Sequence, residues 1–226
     1  MAIEKIKKEF QWLKDVDSSA LKSVVRNLDS AYQNFFRRVK QGKKPYGYPQ
    51  FKKKHNNRQS YTSRSIIKIL DNTHLQLPKL GSVYCKFSKQ VQGRILSATI
   101  SRNPAGKYFV SICCTDADIQ PSPKTGAVVG VDLGIKDLAI TSDGDKYPNN
   151  KYIYKAEKQL IRLQRSLSRK TKGSNNRNKS RIKVARLQEK IANQRKDNLH
   201  KLTTELVRKY DVIGIENPNA KGMIKN

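Results

Sequence analysis

The chain is short of acid. Against 47 lysines and arginines it sets only 18 aspartates and glutamates in 226 residues, for a formal net charge of +29 and a pI near 10.2. A balance this basic implies a polyanionic partner, for which nucleic acid is the default. Long apolar runs are missing too. No stretch of roughly 18 apolar residues exists to span a bilayer, and the opening residues MAIEKIKKEF lack a signal peptide's apolar segment. The expectation is a cytoplasmic, nucleoid-associated protein with no membrane partner. Cysteine is scarce: Cys85, Cys113 and Cys114 form no CxxC pair, and adjacent residues of a strand face opposite ways, so neither a disulfide framework nor a zinc site is visible. His55, His74 and His200 lie far apart and show neither ligand spacing nor a nucleophile beside them. Nothing here implies a small-molecule substrate.

What is present suits a folded protein with a very polar surface: 36% hydrophobic residues and a mean hydropathy of −0.75. The length can bury a sizeable core and hold more than one domain.

After Asp15 and Asp17, with Ser18 as an N-cap, apolar residues recur at Leu21, Val24, Val25, Leu28, Tyr32, Phe35, Phe36 and Val39. This spacing predicts an amphipathic helix over 18–40 with its aromatics in a core. It stops at Gly42. Residues 42–64 then carry seven Lys/Arg and no acid, interleaved with Tyr46, Tyr48, Phe51 and Tyr61. Glycine and proline forbid a long helix there, which leaves an extended loop or edge strand. Lys43, Lys44, Lys52, Lys53, Lys54 and Arg58 suit phosphates, while Tyr46 and Tyr48 can either stack on unpaired bases or pin the loop to the core. From Leu75 to Thr115 the period falls to two, with turns at Gly81, Gly93 and NPAG, as in a small antiparallel β domain. QPSPKTG, 120–126, reads as a linker.

Next comes TGAVVGVDLGIKDLAI, a strand, a glycine turn and a second strand. Its continuous apolar run suggests burial on both faces, where an ionised Asp132 is costly unless paired, hydrogen-bonded or bound to a metal. Alternatively Asp132 merely caps the turn at Gly134. A short KYIY strand and two helices follow. The first helix carries Ala156, Leu160, Leu163 and Leu167, and the second, beyond the polar loop RKTKGSNNRNKSR, carries Val184, Leu187, Ile191, Leu199, Leu202 and Leu206. Between Lys151 and Lys201 stand 17 basic and 3 acidic residues. A strip along a phosphate backbone is expected at Arg162, Arg165, Arg169, Lys170, Lys172, Arg177, Lys179 and Arg181. The last strand, Asp211 to Ile215, again ends in an acid, Glu216. A crossover ending in a helix permits the two acid-ended strands to lie parallel and adjacent. Carboxylates at matching ends could then share divalent ions.

These residues resemble a known family. VVGVDLGIKDLAI resembles the first RuvC motif of the TnpB transposon-encoded, RNA-guided nucleases (OrfB-type transposase-associated proteins), and VIGIENPNAKGM resembles the second. EFQWLKDVDSSALKSVVRNLDSAYQNFFRR, GYPQFKKK and RQSYT resemble the same family's N-terminal region. The resemblance implies a mixed α+β and α/β fold: a helical recognition-lobe segment (1–42), a basic loop with a small antiparallel wedge-like β domain (43–124), and the N-terminal part of an RNase H-like (RuvC) domain with an inserted helical hairpin (125–226). It implies Asp132 and Glu216 as the first two metal-binding acids of a Mg²⁺-dependent DNA endonuclease of an insertion sequence, with guide RNA and target DNA as partners. By that pattern the zinc ribbon and the third acid fall after Asn226, a strand-forming N-terminal segment falls before Met1, and Pro218 replaces a leucine. The expectation is therefore an internal fragment or degenerate copy that binds nucleic acid but is catalytically incomplete. The alternative is a non-catalytic RNA- or DNA-binding remnant or regulator. The phosphate-binding hairpin of actin- and Hsp70-type ATPases shares this strand-turn-strand and its Asp, but Ile135 stands where that hairpin needs a small hydroxyl residue, and no second glycine-rich phosphate or adenosine loop follows.

Overall fold

The computed structural model describes residues 2–50, 59–118 and 120–216. Lys52, Lys53, Lys54, Arg58, Phe51 and Pro218 lie outside the described residues. The chain divides at position 120 into two compact units, at the start of the segment read as a linker. Both units mix helix and sheet.

The first unit opens with α1 (Ala2–Glu9), a 3₁₀ turn (Gln11–Lys14) and α2 (Ser18–Lys40). The N-cap of α2 is Asp17, whose carboxylate accepts the Ser19 N–H, rather than Ser18. Six strands follow: β1 (Gln59–Ser63), β2 (Lys68–Ile69), β3 (His74–Leu77), β4 (Gly81–Tyr84), β5 (Arg94–Arg102) and β6 (Tyr108–Thr115). They form two three-stranded antiparallel sheets, ordered β1-β5-β6 and β2-β3-β4. One core draws on both, with Leu75, Leu77 and Ala98 buried and Val83, Ile100, Val110 and Ile112 against them. The period-two segments are strands as expected, except that β4 ends at Tyr84 and leaves Cys85 and Phe87, read as its continuation, outside any strand.

The apolar stripe of α2 departs from expectation. Phe35 is buried and Tyr48 stacks on it at 4.5 Å, but Val24, Val25, Leu28, Tyr32, Phe36 and Val39 are exposed. Helical periodicity reveals that one face is apolar, not what that face meets. The helix is held instead at its start. Asp17, 8% exposed, accepts hydrogen bonds from the Ser63 and Ser65 hydroxyls, and Ser19 Oγ accepts the Arg64 N–H at 2.7 Å. One carboxylate therefore fastens α2 to the end of β1.

The second unit holds β7 (Val128–Asp132), β8 (Asp137–Thr141), β9 (Lys146–Pro148), α3 (Tyr152–Ser168), α4 (Asn175–Lys209) and β10 (Val212–Ile215). Its sheet is ordered β10-β7-β8-β9, with β10 parallel to β7 and the other pairs antiparallel. Leu202 and Leu206 of α4 pack on Val129, Val131 and Ala139. Four expectations need correction here. KYIY is not a strand: Lys151 takes a left-handed conformation and the helix starts at Tyr152, while the third strand is Lys146–Pro148. The polar loop is only 169–174, because Ser174 caps α4 by accepting the Arg177 N–H at 3.1 Å. Leu199 is exposed, although Val184, Leu187, Ile191, Leu202 and Leu206 are buried. Finally, β7 is not covered on both faces: Val129 and Val131 are buried, but Val128 is 66% exposed, so an apolar run alone did not distinguish one covered face from two. Val212 and Ile215 of β10, a sheet edge, are exposed as well. Among the described residues no helix is long and apolar enough to cross a membrane.

Asp17 supplies a test of the first unit. Burial alone would raise its pKa, but the bonds from Ser63, Ser19, Ser65 and Ala20 together hold it below the ordinary aspartate value. A group depressed in the folded state stabilises the fold above its unfolded pKa, about 3.9, and loses that contribution as the pH falls. Asp17→Ala, which also strands two hydroxyls and removes a cap, should cost about 3 kcal/mol at pH 7 in urea unfolding, and the gap to wild type should narrow below about pH 4.

Candidate functional site

The two acid-ended strands lie parallel and adjacent, as the crossover permits. The parallel register runs Val212 with Val128, Ile213 with Val129, Gly214 with Gly130 and Ile215 with Val131. Asp132, the last residue of β7, and Glu216, which follows β10, therefore leave matching ends of strands spaced about 4.8 Å apart. Asp132 is not the buried charge that the apolar run suggested. It is exposed at the end of its strand, as is Glu216, so neither bears a large desolvation cost. Among the described residues no hydrogen bond or ion pair engages either carboxylate. Gly134 is required just beyond: a Cβ there would come within 2.9 Å of the Asp137 carbonyl oxygen, so any side chain would force the β7–β8 turn apart.

The register has a lock at the other end of the pair. Asp211 accepts hydrogen bonds from the Thr125 N–H at 3.0 Å and the Gly126 N–H at 2.7 Å, while its own N–H donates to the Ala127 carbonyl at 2.9 Å. The amides of Gly126 and Thr125 hold its carboxyl below the usual aspartate range. Gly126 reaches this geometry at φ +71°, a conformation that favours glycine. Sequence reasoning named Asp211 only as the start of a strand.

No third acid gathers beside Asp132 and Glu216. Asp211 is five residues from Glu216 along an extended chain, about 16 Å. Asp143 accepts the Tyr210 hydroxyl at 2.6 Å, and Asp145 lies 3.7 Å from Lys209 Nζ, which places both by the residues preceding β10. Among the described residues no group of three or more His, Cys, Asp or Glu could hold a metal. Two exposed, unpaired carboxylates on adjacent strands nevertheless suit a hard cation such as Mg²⁺, which typically takes one or two carboxylates and completes its shell with water and phosphate oxygens.

The cationic residues sort into two kinds. Lys43, Lys44, Arg162, Arg165, Arg169, Lys170, Lys172 and Lys179 are exposed. Arg177 is committed internally: its guanidinium donates to the carbonyls of Leu167 at 3.0 Å and Lys170 at 2.9 Å, closing the C-terminus of α3. Arg181 donates to the Asn178 side chain. Tyr46 is half-buried, and Tyr48, 76% exposed, lays one face on Phe35, the contact expected if it pins the loop to the core.

Comparison with known proteins matches residues 111–226 to the family OrfB_IS605, described as "Probable transposase". The chain is 37% identical over 218 residues to the Escherichia coli K12 protein named "Putative RNA-guided DNA endonuclease InsQ", covering 96% of this chain and 52% of that protein. It is also 37% identical over 221 residues to a Streptomyces pristinaespiralis protein named "Putative RNA-guided DNA endonuclease", covering 96% and 53%. A Mycobacterium tuberculosis relative with the same designation is 27% identical over 240 residues. The chain spans about half the length of these relatives. The protein belongs to the OrfB_IS605 transposase family.

Proposed function

We propose that the chain is part of an RNA-guided, metal-dependent DNA endonuclease of an insertion sequence, with Asp132 and Glu216 as two acids of a RuvC-like site. The observation that carries this reading is the parallel pairing of β7 with β10, which brings two exposed carboxylates to one end of the sheet. In this reading residues 125–226 are the first part of a RuvC-like domain, 43–124 a wedge-like domain and 1–42 a recognition segment, working at the nucleoid on guide RNA and target DNA. The names of the relatives support the two nucleic acids.

Asp132 and Glu216 would hold Mg²⁺, which when bound supplies an activated water and neutralises the leaving oxygen of a phosphodiester. The chain's own part is to fix the two carboxylates on packed strands, through the Asp211 lock and the Gly134 turn, and to hold the phosphate backbone along the exposed cations of α3 and α4. A third acid is not gathered among the described residues. A protein of these 226 residues is therefore proposed to bind nucleic acid but to cut it weakly. The second reading, a binder without catalysis, rests on the same cationic surface.

Two experiments separate them. With guide RNA, target DNA and Mg²⁺, cleavage by residues 1–226 should be slight, and whatever there is should vanish in Asp132→Ala and Glu216→Ala; robust cutting would refute the incompleteness, and cutting indifferent to both changes would refute the site. Nucleic acid affinity should fall steeply with salt, because neutralised phosphates release counterions. Neutralising Arg162, Arg165 and Arg169 together, or Lys43 and Lys44 together, should weaken binding across sequences and lower the log–log salt slope by about one per lost phosphate contact. An unchanged slope would make these side chains solvated surface only.

A further inference from the structure

A groove of about 720 Å³ opens in the second unit between the β7–β8 turn, the residues after β9 and the face of α4. Its walls are apolar and unusually open to solvent: Tyr154 is 69% exposed, Ile135 49%, Ile153 47% and Leu199 47%. Single exposed apolar residues are ordinary, but a cluster rimmed by polar groups marks a binding surface. The rim is cationic, with Lys151 and Arg195 and no carboxylate among the described lining residues. Asn149 Nδ2 donates to the Ile135 carbonyl at 2.9 Å, and Asn150 Nδ2 to Asn198 Oδ1 at 3.1 Å, so the turn, the α3 entry and α4 are tied together around it. Lys155 Nζ lies 6.0 Å from the Tyr152 ring centre, adding a further cation beside an aromatic face.

We propose that this groove binds an unpaired stretch of a DNA strand, with Tyr154 stacking on a base and Lys151 and Arg195 meeting the flanking phosphates. The ligand must offer a flat apolar face and negative charge within a few ångströms of each other. An unpaired nucleotide does both. A duplex hides its base faces in its own stack, and an apolar protein segment would bury Lys151 and Arg195 without compensation. DNA is chosen over RNA by position: Ile135 is three residues from Asp132, so their Cα atoms lie within about 11 Å, and the groove opens near that strand end. That choice rests on the reading of Asp132 as part of a DNA-cutting site. The stacking itself does not.

The test uses the whole chain. Oligodeoxynucleotides carrying 5-iododeoxyuridine are photo-cross-linked and the modified peptide is identified, while anisotropy measures affinity for single-stranded DNA, single-stranded RNA and duplex DNA. Cross-links should fall on Tyr152 or Tyr154. Tyr154→Ala should weaken single-stranded DNA binding about tenfold and leave duplex binding unchanged, and Tyr154→Trp should restore it. Tyr154 is exposed, so these variants should fold as wild type, which far-ultraviolet circular dichroism checks. Cross-links elsewhere, with Tyr154→Ala binding single strands as wild type does, would overturn the groove while leaving the proposed nuclease reading intact. A tenfold loss confined to RNA would overturn the assignment to DNA. If Tyr154→Ala abolished self-association of the chain without affecting single-strand binding, the groove would be a protein contact and the proposal would fall. If the groove behaves as expected while Asp132→Ala leaves cleavage untouched, the stacking site stands and the nuclease reading fails.

Discussion

The parallel pairing of β10 with β7 is the constraint on which the second unit depends. These strands are more than 70 residues apart in sequence, so closing them together costs considerable chain entropy. Two things offset it. The β7–β8 sheet is covered by Leu202 and Leu206 of α4, and α4 leads directly into β10 through Tyr210, whose N–H still bonds the Leu206 carbonyl. Asp211 then reads the register chemically, through the Thr125 and Gly126 amides. A slip by one residue would break these bonds, turn Ile213 away from the core and misalign Glu216 with Asp132. Register, core and the candidate site are thus one problem with one solution.

Charge follows a similar economy. The hairpin of α3 and α4 carries far more cations than it can pair internally, and the few that are paired serve structure: Arg177 closes α3, Lys209 holds Glu205 at 2.7 Å, and Glu205 accepts the Tyr147 hydroxyl to bind β9 to α4. The remaining exposed lysines and arginines repel one another across a helical pair held by the buried Val184, Leu187 and Ile191 and by the Arg177 bonds to the end of α3. An arrangement of this kind becomes favourable when a polyanion lies along it.

Much of this was legible in the sequence because it is local. Periodicity located α2, most of β3 to β6, the helical hairpin and the two acid-ended strands, and the long helical crossover permitted their parallel order, while β2 gave no such signal. What was missed is non-local or ambiguous. Tyr152, Ile153 and Tyr154 have strand-like composition, but the backbone turns left-handed at Lys151 and continues as helix. The open face of β7 and the exposed stripe of α2 depend on what packs there, which a pattern cannot state. Arg177 and Asp211 were counted as charges, whereas their partners are backbone groups, those of Asp211 lying 85 and 86 residues away. Of the candidate acids, the strand positions of Asp132 and Glu216 were readable; the dispersal of Asp143, Asp145 and Asp211 to the far end of the sheet was not.

The most direct measurement is a crystal structure of this chain grown with Mg²⁺ or Mn²⁺. The Asp132 and Glu216 carboxylates should face one another and bind one ion, each with an oxygen within about 2.2 Å of it. Carboxylates more than roughly 10 Å apart, too far to share a two-metal site spaced by about 4 Å, would contradict the reading of these strand ends as a site.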